Sequence, residues 1–365
     1  MLYIKFNDLD SNDLCIKEKD MELGISMFGD LHLNPQTQIR KAPQQRFAEM
    51  LEQVKLADEV GLDVFEMGEH HREDYSVTNP QLFLSAAAAV TKNIKLGSAV
   101  TVLSSSDPVR LFEDFSMVDN ISGGRAQIMA GRGSFIESFP LFGFSLDQYD
   151  VLFEDKLLML LEIIQKNGNN ISWDGRLTQA LNNVTLYPKP VQKQLPVWIA
   201  VGGTPASVLR AARLGVPIMF AIIGGQPIHF QPLINYYKEN YLAAGHDPNK
   251  MQLGINSHSF VGNTNAIKDD YYPFYAAQMD NIGKSRGWAP FSKDVFLNTA
   301  RPEGAYFMGD PNAVIDKILQ QYEWFGHTRF VGQMDVGDPD HNMLMKSIEL
   351  FGTKVAPEVR KALKK

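Results

Sequence analysis

From Glu22 onward, short apolar runs alternate with longer stretches in which apolar residues return every three or four positions. The short runs predict buried strands and the longer ones amphipathic helices, so their alternation predicts βαβ units and a parallel sheet. Strands are expected at Glu22–Phe28, Asp63–Met67, Ile94–Leu103, Arg125–Ala130, Leu195–Val201, Pro217–Ile223, Gln252–Val261 and Arg329–Val336. The first helix is expected at Pro43–Val60, where Phe47, Met50, Leu51, Val54 and Ala57 share a face. Others are expected at Pro80–Val90, Pro108–Ile121, Tyr149–Gln165, Pro205–Leu214, Phe230–Ala244, Pro311–Phe325 and Met343–Val355. Eight strand–helix units predict an α/β fold of the closed (β/α)8 TIM-barrel type, with an open doubly wound sheet as the alternative.

Two stretches interrupt the alternation. Residues 167–193 are rich in Asn, Gly and Pro and hold strand-like pieces at Ile171–Trp173 and Val184–Tyr187, so a hairpin insertion is expected after strand four. Residues 263–306 carry Tyr271, Tyr272, Phe274, Tyr275 and Trp288 and form a second insertion, after strand seven. The helix starts support the parse. Asn79-Pro80, Asp107-Pro108, Thr204-Pro205 and Asp310-Pro311 each pair a residue that accepts from first-turn N–H groups with a proline that has no N–H to leave unpaired.

Composition narrows the classes of function. Of 365 residues, 44% are apolar and 21% charged, as in ordinary globular proteins. A net charge of -7 and a pI near 5.7 argue against nucleic acid as the main partner, which wants a basic face. No apolar run approaches the roughly 18 residues of a membrane span. Residues Met1 to Asp20 lack the apolar stretch of a signal peptide and read as a polar N-terminal extension, with a single domain expected over 21–365. The one cysteine, Cys15, excludes an intrachain disulfide and suits a reducing cytoplasm.

Three constellations carry chemistry, two of them at the carboxyl ends of predicted strands, where parallel α/β folds place their sites. Glu69-His70-His71 follows strand two. Adjacent histidines point apart, so only one can line a cavity, and a neutral imidazole there can act as acid, base or hydrogen-bond donor. The pattern is not a zinc-helix motif, and a barrel metal site would need His32, His70 and His258 together. Gly131-Arg132-Gly133 after strand four and Gly202-Gly203-Thr204-Pro205 after strand five form the second constellation. Glycines admit close approach of an anion, a helix start offers free N–H groups, and an arginine fork suits phosphate. Each half alone is also what a tight turn looks like. The third is Gly97-Ser98-Ala99, small residues in mid-strand that either make room for a flat ligand or fit a crowded barrel layer. Walker A and the spaced dinucleotide glycines are absent.

These residues, in order, resemble the bacterial luciferase-like flavin-dependent monooxygenases. The resemblance runs from about Met21 to Phe351 and rests on VFEMGEHH, LGSAVTVL followed by DPVRLFED, ISGGR, AGRG and PVWIAVGGTP. It implies a TIM barrel that binds reduced FMN, supplied by a separate flavin reductase, and uses O2 to oxidise a small organic substrate such as an aldehyde. His70 matches the family's catalytic histidine, and Ala99–Val100 matches its non-prolyl cis peptide, with Thr101 next in the strand. Arg132, Gly202, Gly203, Thr204 and Ser207 match the holders of the flavin phosphate. Where luciferase has glutamate and serine at the strand-five turn, this chain has Gly203 and Thr204. The second insertion corresponds to the family's mobile region and is expected to act as a lid, with Tyr271, Tyr275 and Met279 as substrate-wall candidates. Pairing through helices two and three is implied as well, the small face Ala86 to Ala89 suiting a homodimer. A deazaflavin hydride-transfer enzyme, a non-catalytic flavin-binding protein and a metal-dependent barrel hydrolase are the alternatives.

Overall fold

The computed structural model describes residues 21–133 and 135–364. The extension expected for Met1 to Asp20 lies outside the described residues. Eight parallel strands form a closed barrel: β1 (Glu22–Met27), β2 (Val64–Met67), β3 (Lys95–Ser98, resuming at Thr101–Val102), β4 (Ala126–Gly131), β5 (Val197–Val201), β6 (Ile218–Ala221), β7 (Leu253–Val261) and β8 (Arg329–Gln333). Each pairs with its neighbours, and β8 returns to β1 with Glu22 opposite Arg329 and Ser26 opposite Gln333. The fold is the (β/α)8 barrel, so the doubly wound alternative is set aside.

The apolar residues form two separate cores. The larger lies between strands and helices and takes in Leu23, Ile25, Met50, Val54, Phe65, Leu84, Phe112 and Ile348. The smaller fills the barrel interior with Val64, Ala99, Met129, Trp198, Met219 and Val331, and Phe28, Val100 and Ala200 pack on it. Below it, at the amino-terminal end, the buried Arg329 guanidinium lies 4.1 Å from the centre of the Trp198 ring. It donates to Glu22 at 2.7 Å and to Glu66 and Gln127 at 3.2 Å. A Cβ on Gly97 would stand 2.9 Å from Gln127, so its smallness serves this plug and is the crowded-layer reading of the small strand. The barrel floor is closed, and chemistry is left to the other end.

Several boundaries differ from the sequence expectation. Strand three is not continuous to Leu103, because it breaks at a cis peptide between Ala99 and Val100. The hairpin partner of Ile171–Trp173 is Leu181–Val184, not Val184–Tyr187, with Ile171 opposite Val184 and Trp173 opposite Leu181. Residues 263–306 hold two helices, Ile267–Arg286 and Lys293–Thr299. The last helix does not stop at Val355; a π turn over Phe351–Val355 carries it into Ala356–Leu363. In the run Ala86 to Ala89, Ala87 and Ala88 face the core and only Ala86 and Ala89 face outward.

Candidate active site at the carboxyl end of the barrel

His70 follows β2, and its ring is buried in an aromatic box. Tyr75 lies 4.2 Å from it, Phe135 5.1 Å and Phe28 5.2 Å, centre to centre. Burial pushes its imidazole down to about 3, so the ring is neutral throughout the physiological range. His71 points elsewhere, as adjacent residues must. It pairs with Glu69 at 3.1 Å and packs edge-on against Phe142.

Glu69 joins two of the predicted constellations. Its second oxygen accepts from the Val102 N–H at 2.9 Å, tying the histidine loop to the far side of the Ala99–Val100 bond. Val100 packs over β4, where a Cβ on Gly131 would stand 2.6 Å from it. Thr101 is fully buried, and its hydroxyl oxygen has no partner. A buried hydroxyl without a partner is costly, and this one lies next to the Ala99–Val100 bond.

The phosphate constellation is brought together across two strands. Arg132, just past β4, donates through Nη2 to Ser207 Oγ at 3.2 Å, on the first turn of the helix Pro205–Leu214. Its other edge pairs with Asp150, and its guanidinium lies 4.9 Å from the Tyr149 ring centre. The four α-helices that open on Asn, Asp or Thr followed by proline differ here. Asn79, Asp107 and Asp310 cap their own first turns, accepting from Leu82, Arg110 and Ala313. Thr204 makes no capping hydrogen bond, and a Cβ at the preceding Gly202 would meet nothing within 4 Å. Gly203 has φ 119°, a conformation glycine supplies. The turn is thus open, and the Arg132–Ser207 contact lies on the first turn of the helix that follows it.

Other residues of the site were not singled out in the sequence. Asp335, just beyond β8, accepts from the N–H groups of Phe28 and Gly29 and from Arg46, which is buried with it. Asp30 accepts from Gly337 at 2.8 Å, but its Oδ1 has no partner. Burial and the neighbouring Asp335 carboxylate hold the Asp30 carboxyl well above its usual range. Of the lid candidates, Tyr271 donates to the Val336 carbonyl at 2.9 Å and Tyr275 is bonded to His258 at 2.6 Å. Both are buried in the core, and Met279 packs against it. The helix Ile267–Arg286 instead reaches the site through Gln278 and Asn281, which donate to Tyr75 at 2.9 Å and Asp74 at 2.8 Å. With His258 engaged by Tyr275 and His32 bonded to the Leu33 carbonyl, the three-histidine arrangement does not form. Among the described residues no group of three or more His, Cys, Asp or Glu side chains could hold a metal ion.

The barrel thus carries a buried neutral histidine, a broken third strand and an open glycine turn at the carboxyl ends of its strands. The family model for luciferase-like monooxygenases matches residues 21–329, and the chain belongs to that family. It is similar to an uncharacterized protein of Sinorhizobium fredii, 31% identical over 61% of this chain and 64% of that one. The alkanal monooxygenase alpha chain of Aliivibrio fischeri is 28% identical over 82% of this chain and 89% of its own. The oxygenase component of a flavin-dependent trigonelline monooxygenase from Acinetobacter baylyi is 26% identical over 44% of this chain and 45% of its own. Among solved structures, a monooxygenase from Streptomyces bottropensis superposes with TM-score 0.79 at 24% identity, covering 93% of this chain and 99% of that one. The oxygenating constituent of 3,6-diketocamphane monooxygenase from Pseudomonas putida, in complex with FMN, superposes with TM-score 0.72 at 20% identity, covering 93% and 98%. A coenzyme F420-dependent reductase from Methanopyrus kandleri does so with TM-score 0.68 at 17% identity, covering 93% and 99%. No helix of the described residues is long and apolar enough to cross a membrane.

Proposed function

We propose that the chain is the oxygenase of a two-component system: it takes reduced FMN from a separate flavin reductase and uses O2 to oxidise a small organic substrate. The observation that carries this reading is the Arg132–Ser207 contact of 3.2 Å at an uncapped helix start, on the same rim as His70. Arg132, Ser207 and the backbone of Gly202, Gly203 and Thr204 would hold the flavin phosphate, and Ala99, Val100 and Thr101 would lie against the ring. Bound reduced flavin supplies the electrons that reduce O2. The rest belongs to the protein: the aromatic box of Phe28, Tyr75 and Phe135 excludes water, and neutral His70 donates or accepts a proton at the reacting oxygen. The FMN complex among the similar structures supports the flavin, and the relative named as an oxygenase component supports the separate reductase.

A homodimer is part of the same proposal. Leu82 and Met117 are 72% and 52% exposed, and Ile121 and Val90 are outward on the same two packed helices, Pro80–Val90 and Pro108–Ser122. Such a patch favours burial against a second copy. The deazaflavin reading has one observation behind it, the F420-dependent reductase among the similar folds. Anaerobic titration with FMN and with F420, followed by admission of oxygen, separates the two. Tight use of reduced FMN, with turnover falling roughly 100-fold in His70→Ala while flavin affinity holds, is the expected result. Hydride transfer from F420 without oxygen uptake would overturn it.

A further inference from the structure

The arginine beside the open turn already has an anionic partner. Asp150, the second residue of the helix Tyr149–Gln165, pairs through Oδ1 with Arg132 Nη1, while Nη2 of the same guanidinium reaches Ser207. One turn further along the same face, Glu154 approaches Arg210 at 3.5 Å, and Arg210 lies three residues after Ser207 on the facing helix. A buried nitrogen of Arg210, Nη1, has no partner. Two acidic residues of one helix thus meet two arginines around the open first turn of another.

Phosphate and carboxylate recognise a guanidinium by the same planar geometry, so they compete for it. A phosphate seated on the Gly202–Thr204 turn would meet Arg132 from the Ser207 side and stand close to the Asp150 charge. The two groups differ in freedom: the Asp150 side chain is 69% exposed and Arg132 23%, so Asp150 can swing into solvent while Arg132 is held over Tyr149. We infer that Asp150 is a built-in competitor for the phosphate of the ligand at Arg132, and that it sets how readily the flavin leaves. The inference rests on the flavin reading above. A co-substrate passed from a reductase must exchange at every turnover, and a like charge beside its phosphate keeps the clamp from holding it.

The test compares FMN with riboflavin, which lacks the phosphate, on wild-type protein and Asp150→Asn, by quenching of flavin fluorescence at low ionic strength. Asp150→Asn is expected to bind FMN about three- to tenfold more tightly, to leave riboflavin unchanged, and to lose the difference in an Arg132→Ala background or at ~0.5 M salt. Equal affinity for FMN in the two proteins, weaker binding in the variant, or an equal gain for riboflavin would overturn the inference. If neither protein binds either flavin, the flavin reading fails, and a second measurement still decides the role of Asp150. Inorganic phosphate should raise the melting temperature of Asp150→Asn more than that of the wild type; an equal shift means that Asp150 does not compete.

Discussion

The ring of Tyr75 lies 4.2 Å from the ring of His70, tilted by 42°, and makes the nearest wall of the histidine's box. Its hydroxyl is in turn held by Gln278, on the helix that follows β7, at 2.9 Å. That chain of contacts makes the helix Ile267–Arg286 a support for His70. Gln278→Ala should therefore lower kcat about three- to tenfold through loss of orientation and leave flavin affinity unchanged. Stability should fall by about 1–3 kcal/mol as the buried hydroxyl loses its donor. Combining it with His70→Ala reads the coupling: once the histidine is gone, the Gln278 change should cost no further activity. Full additivity would mean that Gln278 acts elsewhere.

Asp30 and Asp335 sit side by side in unlike surroundings. Asp335 receives two short backbone N–H bonds at 3.0 and 2.8 Å and the Arg46 guanidinium at 2.8 Å. Asp30 receives one N–H and keeps an oxygen without a partner, so it carries the proton. Asp335→Asn should cost about 3–5 kcal/mol, because it removes the carboxylate at 2.8 Å from the buried Arg46, whose other acidic neighbour, Asp338, lies at 3.6 Å. Asp30→Asn, which replaces a neutral acid by a neutral amide, should cost less than about 1 kcal/mol. Urea unfolding ranks the two, and the reverse ranking would show that Asp30 needs its charge in the fold.

Acid should destabilise the protein through its buried histidines. Burial lowers His70 and His327 to about 3 and His258 to about 4, from an ordinary 6.5. Above 6.5 folded and unfolded chains are both neutral at these positions. Below it the unfolded chain binds protons that the folded one refuses, so stability falls as pH drops from 6.5 toward about 4. Each histidine contributes up to about 1.4 kcal/mol per pH unit across that window. Asp30 acts in the opposite sense, since its raised value makes its contribution fade as pH climbs above the carboxylate range. His258→Gln should flatten the acid limb by about one histidine's share, measured as unfolding free energy against pH. An unchanged slope would show that His258 is already free to protonate in the fold.

At the barrel floor, burial pushes Glu66 up to about 7 in spite of Arg329 at 3.2 Å. Near neutrality the acid is therefore close to half protonated, and Glu66→Gln should change stability by less than about 1 kcal/mol. Arg329→Met removes the donor shared by Glu22, Glu66 and Gln127 and should cost about 3–5 kcal/mol. Thermal unfolding of the two variants at pH 7 distinguishes them, and equal losses would mean that Glu66 is fully charged.

How much of this was legible depended on whether the signal was local. Strands β1 to β8 showed as apolar runs because each is buried on both faces, and His70 and Arg132 showed because they stand directly at strand ends. Asp335 was hidden, since its partners Phe28 and Arg46 lie 307 and 289 residues away and no spacing announces them. The helix Ile267–Arg286 was hidden for a different reason. Tyr271, Phe274, Tyr275 and Gln278 are all buried at helical spacing, but Pro273 in the first half and the run of aromatics masked the period. A glutamine on that apolar face was the available clue to a polar contact with Tyr75.

The four α-helices that open on Asn, Asp or Thr followed by proline give the sharpest comparison, because the same local pattern has two outcomes. Asp107 and Asp310 accept from the third residue of their helices at 2.9 and 3.0 Å, and Asn79 does so at 3.3 Å. Replacing Asp107 or Asp310 by Ala should cost about 1 kcal/mol of stability, the usual loss of a capping side chain. Thr204 occupies the same position with extended backbone angles yet makes no such bond, so Thr204→Ala should leave unfolding unchanged within about 0.3 kcal/mol. Thr204→Asp should go further: a capping carboxylate would fill the first turn with an anion of its own, stabilising the helix by about 1 kcal/mol and weakening phosphate-bearing ligands at least tenfold. Differential scanning calorimetry and FMN titration on the same four variants separate the possibilities. A cost at Thr204 equal to that at Asp107 would show that the threonine serves the helix, and the open turn would lose its claim to the phosphate.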